Sequence, residues 1–196
     1  MSHYQDKVIW ITGASAGIGE ALAKKAAQEG AKLILSARRE DELQRVAKAC
    51  NLEEEDFLIL PMDMIQYAGF DLLVKQAIAK FGQIDYLFNN AGVSSRALAT
   101  ETPIEVDKRI MDINYFGTIA LTKLVVPHMA ANSSGHIISP LRLWDTFPPR
   151  CALPTPLPNM LYMGISTRSE KKFMKMGFQS LFFVQAIFKP IFLLTH

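Results

Sequence analysis

The feature that most constrains the fold is an eight-residue stretch, Thr12-Gly13-Ala14-Ser15-Ala16-Gly17-Ile18-Gly19, lying between two segments of different periodicity. Before it, Lys7–Thr12 (KVIWIT) is a short β-branched run that reads as a strand buried on both faces. After it, Ile18–Gln28 puts Ile18, Leu22 and Ala26 on one helical face, with Gly30 placed to cap the helix. In such a strand–turn–helix, Gly13 permits the tight turn, Gly17 lets backbone approach a phosphate, and Gly19 lets the helix lie close to the strand. The first amides of the helix then face an anion such as a pyrophosphate. A glycine-rich turn with no ligand can carry the same letters, but the flanking strand and helix are the context that a dinucleotide site requires.

The pattern repeats. Lys32–Ser36, Asp56–Pro61, Ile84–Phe88 and Gly135–Ile138 read as further strands. Arg39–Ala49, Phe70–Phe81 (ending at Gly82) and Pro103–Ala131 read as the intervening helices, with Pro103 suited to a first turn. Strands alternating with helices at these lengths predict βαβ units and a doubly wound parallel sheet, in spatial order 3-2-1-4-5. There is no internal repeat. A hydrophobic fraction of 49% with 20% charged residues excludes a disordered, collagenous or coiled-coil chain. A net charge of +2 gives no argument for nucleic acid.

That mean charge conceals a break. Up to Ile138 there are 14 Lys and Arg against 17 Asp and Glu; from Ser139 onward there are 7 against 2. Six of the ten prolines fall within Pro140–Pro158, and seven of the twelve phenylalanines lie in the same tail. Two units are therefore expected: a nucleotide-binding domain over 1–138 and an aberrant, poorly ordered tail over 139–196 that adds no well-packed sixth strand.

Three motifs in order, T-G-x-x-x-G-I-G at Thr12–Gly19, Asn89-Asn90-Ala91-Gly92 and Asn114-Tyr115-Phe116-Gly117, resemble the short-chain dehydrogenase/reductase family over roughly residues 5–138. The resemblance implies a Rossmann fold, a nicotinamide cofactor and hydride transfer between a carbonyl and an alcohol. It places Gly13, Ser15, Gly17, Ile18, Gly19, Ala91 and Gly92 against the cofactor, with Asn90 shaping its adenine-ribose side. It also assigns Asp63 to the adenine amine and Asn114 to a water in the family's proton relay. Singly, Asn90 could be a turn former, Asp63 a cap and Asn114 a helix kink. The second strand ends Ser36-Ala37-Arg38-Arg39. Where NAD-binding domains carry a carboxylate for the ribose 2′-hydroxyl, a hydroxyl and two guanidinium groups suit a 2′-phosphate. The expected cofactor is NADP(H), ahead of NAD(H); a solvated basic helix start is the plainer alternative. His128, Cys50, Met62 and Met64 read as surface or packing residues.

The family's general acid/base is a tyrosine with a lysine four residues on, so that the ammonium lowers the phenol pKa from the same helix face. Four residues after Tyr4, Tyr67, Tyr86, Tyr115 and Tyr162 stand Val8, Asp71, Asn90, Ile119 and Ser166. None is lysine, and Ser139 falls too early to match the family's catalytic serine. A shifted reading frame restores the motif. Codons begun at the third base of each present codon allow Tyr across Pro154–Thr155 and Lys across Pro158–Asn159, four codons apart, and Cys-Pro-Gly across Phe183–Ala186. The chain therefore resembles a family member whose frame changed near codon 139, in the gene or in its reading. Two functions stand: an NADP(H)-dependent carbonyl/alcohol oxidoreductase, and an inactive cofactor-binding remnant.

Secondary expectations follow. Phe178–Leu194 is apolar but interrupted by Gln179, Gln185, Lys189 and Pro190, so a membrane span is not expected. Two cysteines and an N-terminus that begins a strand at once suit a cytoplasmic protein. Partners are a small-molecule carbonyl or alcohol, no nucleic acid, and a second copy only in family members that keep the interface helix lost here.

Overall fold

The computed structural model describes residues 4–95, 97, 100–141 and 182–187, the last six and 140–141 as backbone only. Its centre is β1 (Val8–Thr12), five residues all buried, as a strand covered on both faces demands. β2 (Lys32–Ser36) pairs with β1 in parallel, from Val8↔Lys32 to Thr12↔Ser36. β3 (Phe57–Ile59) pairs outside β2, and β4 (Tyr86–Phe88) pairs on the other side of β1. β5 (His136–Leu141) then pairs with β4. The order β3-β2-β1-β4-β5, all parallel, is the one expected.

Alternation along the strands sorts the core into two layers. Ile9, Ile11, Leu33, Leu35 and Phe88 face one side, under α1 (Gly17–Gln28) and α2 (Glu40–Ala49), which contribute Leu22, Ala26, Leu43 and Val46. Trp10, Ile34, Leu87 and Ile137 face the other, under α3 (Phe70–Phe81) and α5 (Thr118–Ala131), which contribute Phe70, Val74, Leu121, Val125 and Met129. Glu29 caps α1, and Gly30 follows at φ +81, the left-handed turn that favours glycine. Gly82 does the same for α3 at φ +75. At the end of the sheet where β1 begins, the buried Asp85 carboxylate accepts from Val8 N at 2.9 Å, Lys7 Nζ at 3.1 Å and Gln83 Nε2 at 3.0 Å. Lys80 on α3 donates to the carbonyls of Glu54 and Phe57, lying over the edge strand β3.

Two expectations are corrected. The single long helix over Pro103–Ala131 is interrupted: α4 (Ile104–Met111) passes into a π-helical turn at Asp112–Gly117 before α5 begins. The turn puts Gly117 against the Met64 carbonyl so closely that a Cβ would collide with it, and Pro103 caps α4 from just outside. The tail does supply a sixth strand. β6 (Phe182–Ile187) runs antiparallel to β5, from His136↔Ile187 to Leu141↔Phe182. The outer edge of β5 presents unpaired amides and carbonyls, and an extended apolar run satisfies them whatever its origin. The shifted-frame motif over 154–159 and most of Phe178–Leu194 lie outside the described residues. Among the described residues, no helix is long and apolar enough to cross a membrane.

Candidate functional site

A cavity of about 380 Å³ opens at the C-terminal ends of β1, β2 and β4; the strand order reverses between β1 and β4, which is where a doubly wound sheet places its ligand. Of the residues singled out in the sequence, Gly13, Ser15, Gly17, Ile18, Arg38, Asp63, Asn90, Ala91 and Gly92 line it. Gly13 and Gly17 adopt φ +67 and +60, a backbone that favours glycine. A Cβ on Gly17 would meet nothing within 4 Å, so the turn leaves open space for an approaching group. A Cβ on Gly19 would collide with the Gly13 carbonyl, which makes Gly19 the close-packing glycine of the turn.

The strand ends are tied to this turn by polar side chains. Thr12 Oγ1 donates to the Phe88 carbonyl at 3.2 Å and accepts from Ala91 N at 3.0 Å. Asn90 Nδ2 reaches the carbonyls of Thr12 at 3.1 Å and Gly13 at 3.3 Å. Four hydrogen bonds thus tie the end of β4 to the glycine turn. Asp63 Oδ1 accepts from Ile65 N at 3.1 Å, fixing the loop after β3 with the carboxylate still part of the cavity wall. Arg38 is exposed at the mouth with no ion-pair partner among the described residues. Met62 and Met64, read as packing residues, are buried in the core and also form part of the wall.

Besides Gly19, three of the candidates sit outside the cavity lining. Ser36 is fully buried, and its hydroxyl accepts from Trp10 Nε1 at 2.9 Å. Its link to the glycine turn runs through the backbone, where its carbonyl accepts from Ala14 N at 3.1 Å. Arg39 is exposed as the cap of α2 and does not line the cavity. Asn114, in the π-helical turn, spends both ends of its amide on one residue. Nδ2 donates to the Val93 carbonyl and Oδ1 accepts from Val93 N, each at 2.9 Å. Val93 lines the cavity, so Asn114 acts on the wall from behind.

Arg45 was not singled out from the sequence. From α2 its guanidinium donates to both carboxylate oxygens of Glu20, at 3.1 and 2.9 Å, to Glu42 at 2.9 Å and to the Ser15 carbonyl at 3.2 Å. The Arg45 hydrogen bond first, then that of Lys24, holds the Glu20 carboxyl down to about 2. Cys50 caps α2, where burial pushes its thiol up and away from the reactive thiolate. His128 is exposed near the end of α5. No cluster of three or more His, Cys, Asp or Glu side chains suited to a metal occurs among the described residues.

Comparison with known proteins agrees with this geometry. The short chain dehydrogenase family matches residues 7–139. Dehydrogenase/reductase SDR family member 7 of Mus musculus is 45% identical over 138 residues, which cover 68% of this chain and 41% of that protein. A Drosophila melanogaster protein named dehydrogenase/reductase SDR family protein 7-like is 42% identical over 135 residues, 67% of this chain and 41% of its own length. The chain thus spans about two fifths of these curated relatives. Among solved structures, serine dehydrogenase from Escherichia coli superimposes with a TM-score of 0.67 at 28% identity, covering 72% of this chain and 65% of that one. A short-chain type dehydrogenase/reductase from Mycobacterium marinum gives 0.65 at 31% identity, covering 69% and 56%.

Proposed function

This chain belongs to the short-chain dehydrogenase family, and on that footing we propose that residues 1–138 form an NADP(H) site. The observation that carries the reading is the cavity itself: an open glycine turn on one wall, Asp63 on another, and Arg38 exposed at the mouth with no ion-pair partner among the described residues. The pyrophosphate would lie on the turn at Gly17, the adenine beside Asp63, and the 2′-phosphate on Arg38, with Arg39 near enough in sequence to add to its field. When bound, the nicotinamide supplies or accepts the hydride exchanged with a carbonyl or alcohol substrate. The chain's own part is to bind and orient. Thr12 and Asn90 lock the turn to β4, and Asn114 holds the Val93 wall. With both ends of its amide engaged, Asn114 would serve a proton relay through its backbone rather than its side chain.

A second reading, binding without turnover, rests on the missing Tyr-x-x-x-Lys pair and on a serine placed too early. Positioned acid/base transfer is worth about 10²–10⁴-fold, so its loss alone takes the rate below a family-like value. The order and spacing of the motifs allowed in the shifted frame support a frame change near codon 139, with residues 139–196 not selected to fold. β6 pairs with β5 along its backbone, the one observation that bears on the expectation of no well-packed sixth strand. A cytoplasmic location belongs to the same reading.

The experiment is a comparison of two purified chains, the present one and its frame-corrected counterpart, each titrated with NADPH and assayed with ketones. We expect binding by both and turnover only by the corrected chain. Absence of NADPH binding by the present chain would refute the site, and clear turnover by it would refute the second reading.

A further inference from the structure

We propose that Arg45, which takes no part in the cavity wall, is the positioning residue of the phosphate-binding turn, holding the Ser15 carbonyl and cancelling the Glu20 carboxylate beside it. The proposal rests on reading the cavity as a dinucleotide site. Two independent features of the geometry converge on it.

The first is directional. A peptide unit is planar and trans, so its C=O and the following N–H point in opposite directions. Fixing the Ser15 carbonyl on Arg45 Nη2 at 3.2 Å therefore fixes the Ala16 N–H pointing away from Arg45, and Ala16 is part of the cavity wall. Arg45 sits thirty residues from Ser15 in sequence, on α2, so the restraint is tertiary rather than local to the turn. The second is electrostatic. Glu20 lies in the first turn of α1, the end of a helix that attracts anions, and an uncompensated carboxylate there would repel a bound phosphate. Arg45 grips both its oxygens, and Lys24 Nζ adds a contact at 2.7 Å. Because Arg45 also pairs with Glu42, it has no surplus charge to offer a ligand. It thus differs from Arg38. Arg45 should matter equally to any dinucleotide that lies on the turn, whereas Arg38 should matter to the 2′-phosphate.

The test uses the full chain and three variants, Arg45→Met, Arg45→Lys and the double change Arg45→Met with Glu20→Gln. Amide exchange is followed without ligand, and dissociation constants are measured for NADPH and NADH. Arg45→Met is expected to speed exchange selectively in residues 14–19. It should weaken both dinucleotides by the same factor, about threefold to tenfold for a charged contact at a half-exposed site. Arg45→Lys should recover little, because an ammonium cannot span Glu20, Glu42 and a carbonyl together. The double variant should recover the part due to repulsion while leaving exchange fast. Rescue by Arg45→Lys, a uniform rise in exchange across the chain, or loss confined to NADPH would each overturn the proposal. Unchanged affinities in Arg45→Met, with the unaltered chain binding both dinucleotides, overturn the proposal alone. Failure of the unaltered chain to bind either overturns it together with the cofactor reading.

Discussion

Replacing Gly19 by alanine separates the demands of the glycine turn from ordinary helix propensity. On propensity alone the change favours α1 by about 1 kcal/mol. Against this, the new methyl would collide with the Gly13 carbonyl and lie 2.7 Å from Asn90 Nδ2. Overpacking of this kind costs about 1–3 kcal/mol. Displacing Asn90 also breaks its bonds to Thr12 and Gly13, each worth about 0.5–1.5 kcal/mol. The central expectation is a net loss of about 3 kcal/mol, a fall of roughly 6–12 °C in the thermal midpoint of a chain this size. Gly17→Ala is the control. Its Cβ meets nothing, so only the left-handed φ of +60 opposes it, at about 1–2 kcal/mol. Urea unfolding of both variants, read by far-UV circular dichroism, gives the comparison. If Gly19→Ala is as stable as the unaltered chain, or more stable than Gly17→Ala, the contact reasoning is wrong and propensity governs the turn.

Three further outcomes are expected. Arg38→Asp should lower NADPH affinity at least tenfold, since a charge-assisted contact of about 1.5–3 kcal/mol is replaced by repulsion, and leave NADH nearly unchanged; equal loss in parallel titrations would remove the 2′-phosphate assignment. Ser36→Ala should strip the buried Trp10 N–H of its acceptor and destabilise by about 1–3 kcal/mol without altering the ratio of NADPH to NADH affinity; a changed ratio would return Ser36 to the cofactor site. Tyr4 is held neutral by burial, which pushes its phenol up to about 12 from the ordinary 10, with Tyr86 adding to the shift. Its contribution to stability is therefore complete below pH 10 and lost as pH rises toward 12. Tyr4→Phe should flatten the alkaline unfolding curve in that window, and an unchanged curve would show that Tyr4 is not what titrates there.

Local signals carried the first five strands. KVIWIT is a β-branched run and KLILS a short apolar one, and each became a strand within a residue of its expected limits. The glycine turn was legible because its chemistry is contained in consecutive residues. What could not be read depends on partners distant in sequence. Arg45 meets Ser15 across thirty residues, and Ser36 turned inward because Trp10 supplied a donor twenty-six residues away. Alternation along β2 already held that second signal, since Ser36 shares a face with Ile34 rather than with Leu35. The π-helical turn leaves no mark in a helical pattern beyond Gly117, whose need for contact with Met64 belongs to the fold. β6 was missed for the opposite reason. The composition there carries no strand signal, whereas the edge of β5 offers pairing to any extended neighbour.

The Asp85 knot also sets a timetable for the chain as it leaves the ribosome. β1 can pair with β2 as soon as residue 36 emerges, but its second neighbour and the carboxylate that accepts from Val8 lie 77 residues beyond that amide. At synthesis rates of about 5–20 residues per second, β1 waits roughly 4–15 s with one flank open. Trp10 and Ile34 wait longer still for full cover, because α3 emerges just ahead of β4 and α5 only after it, so this face of the sheet stays open to holding chaperones until residue 131 is out.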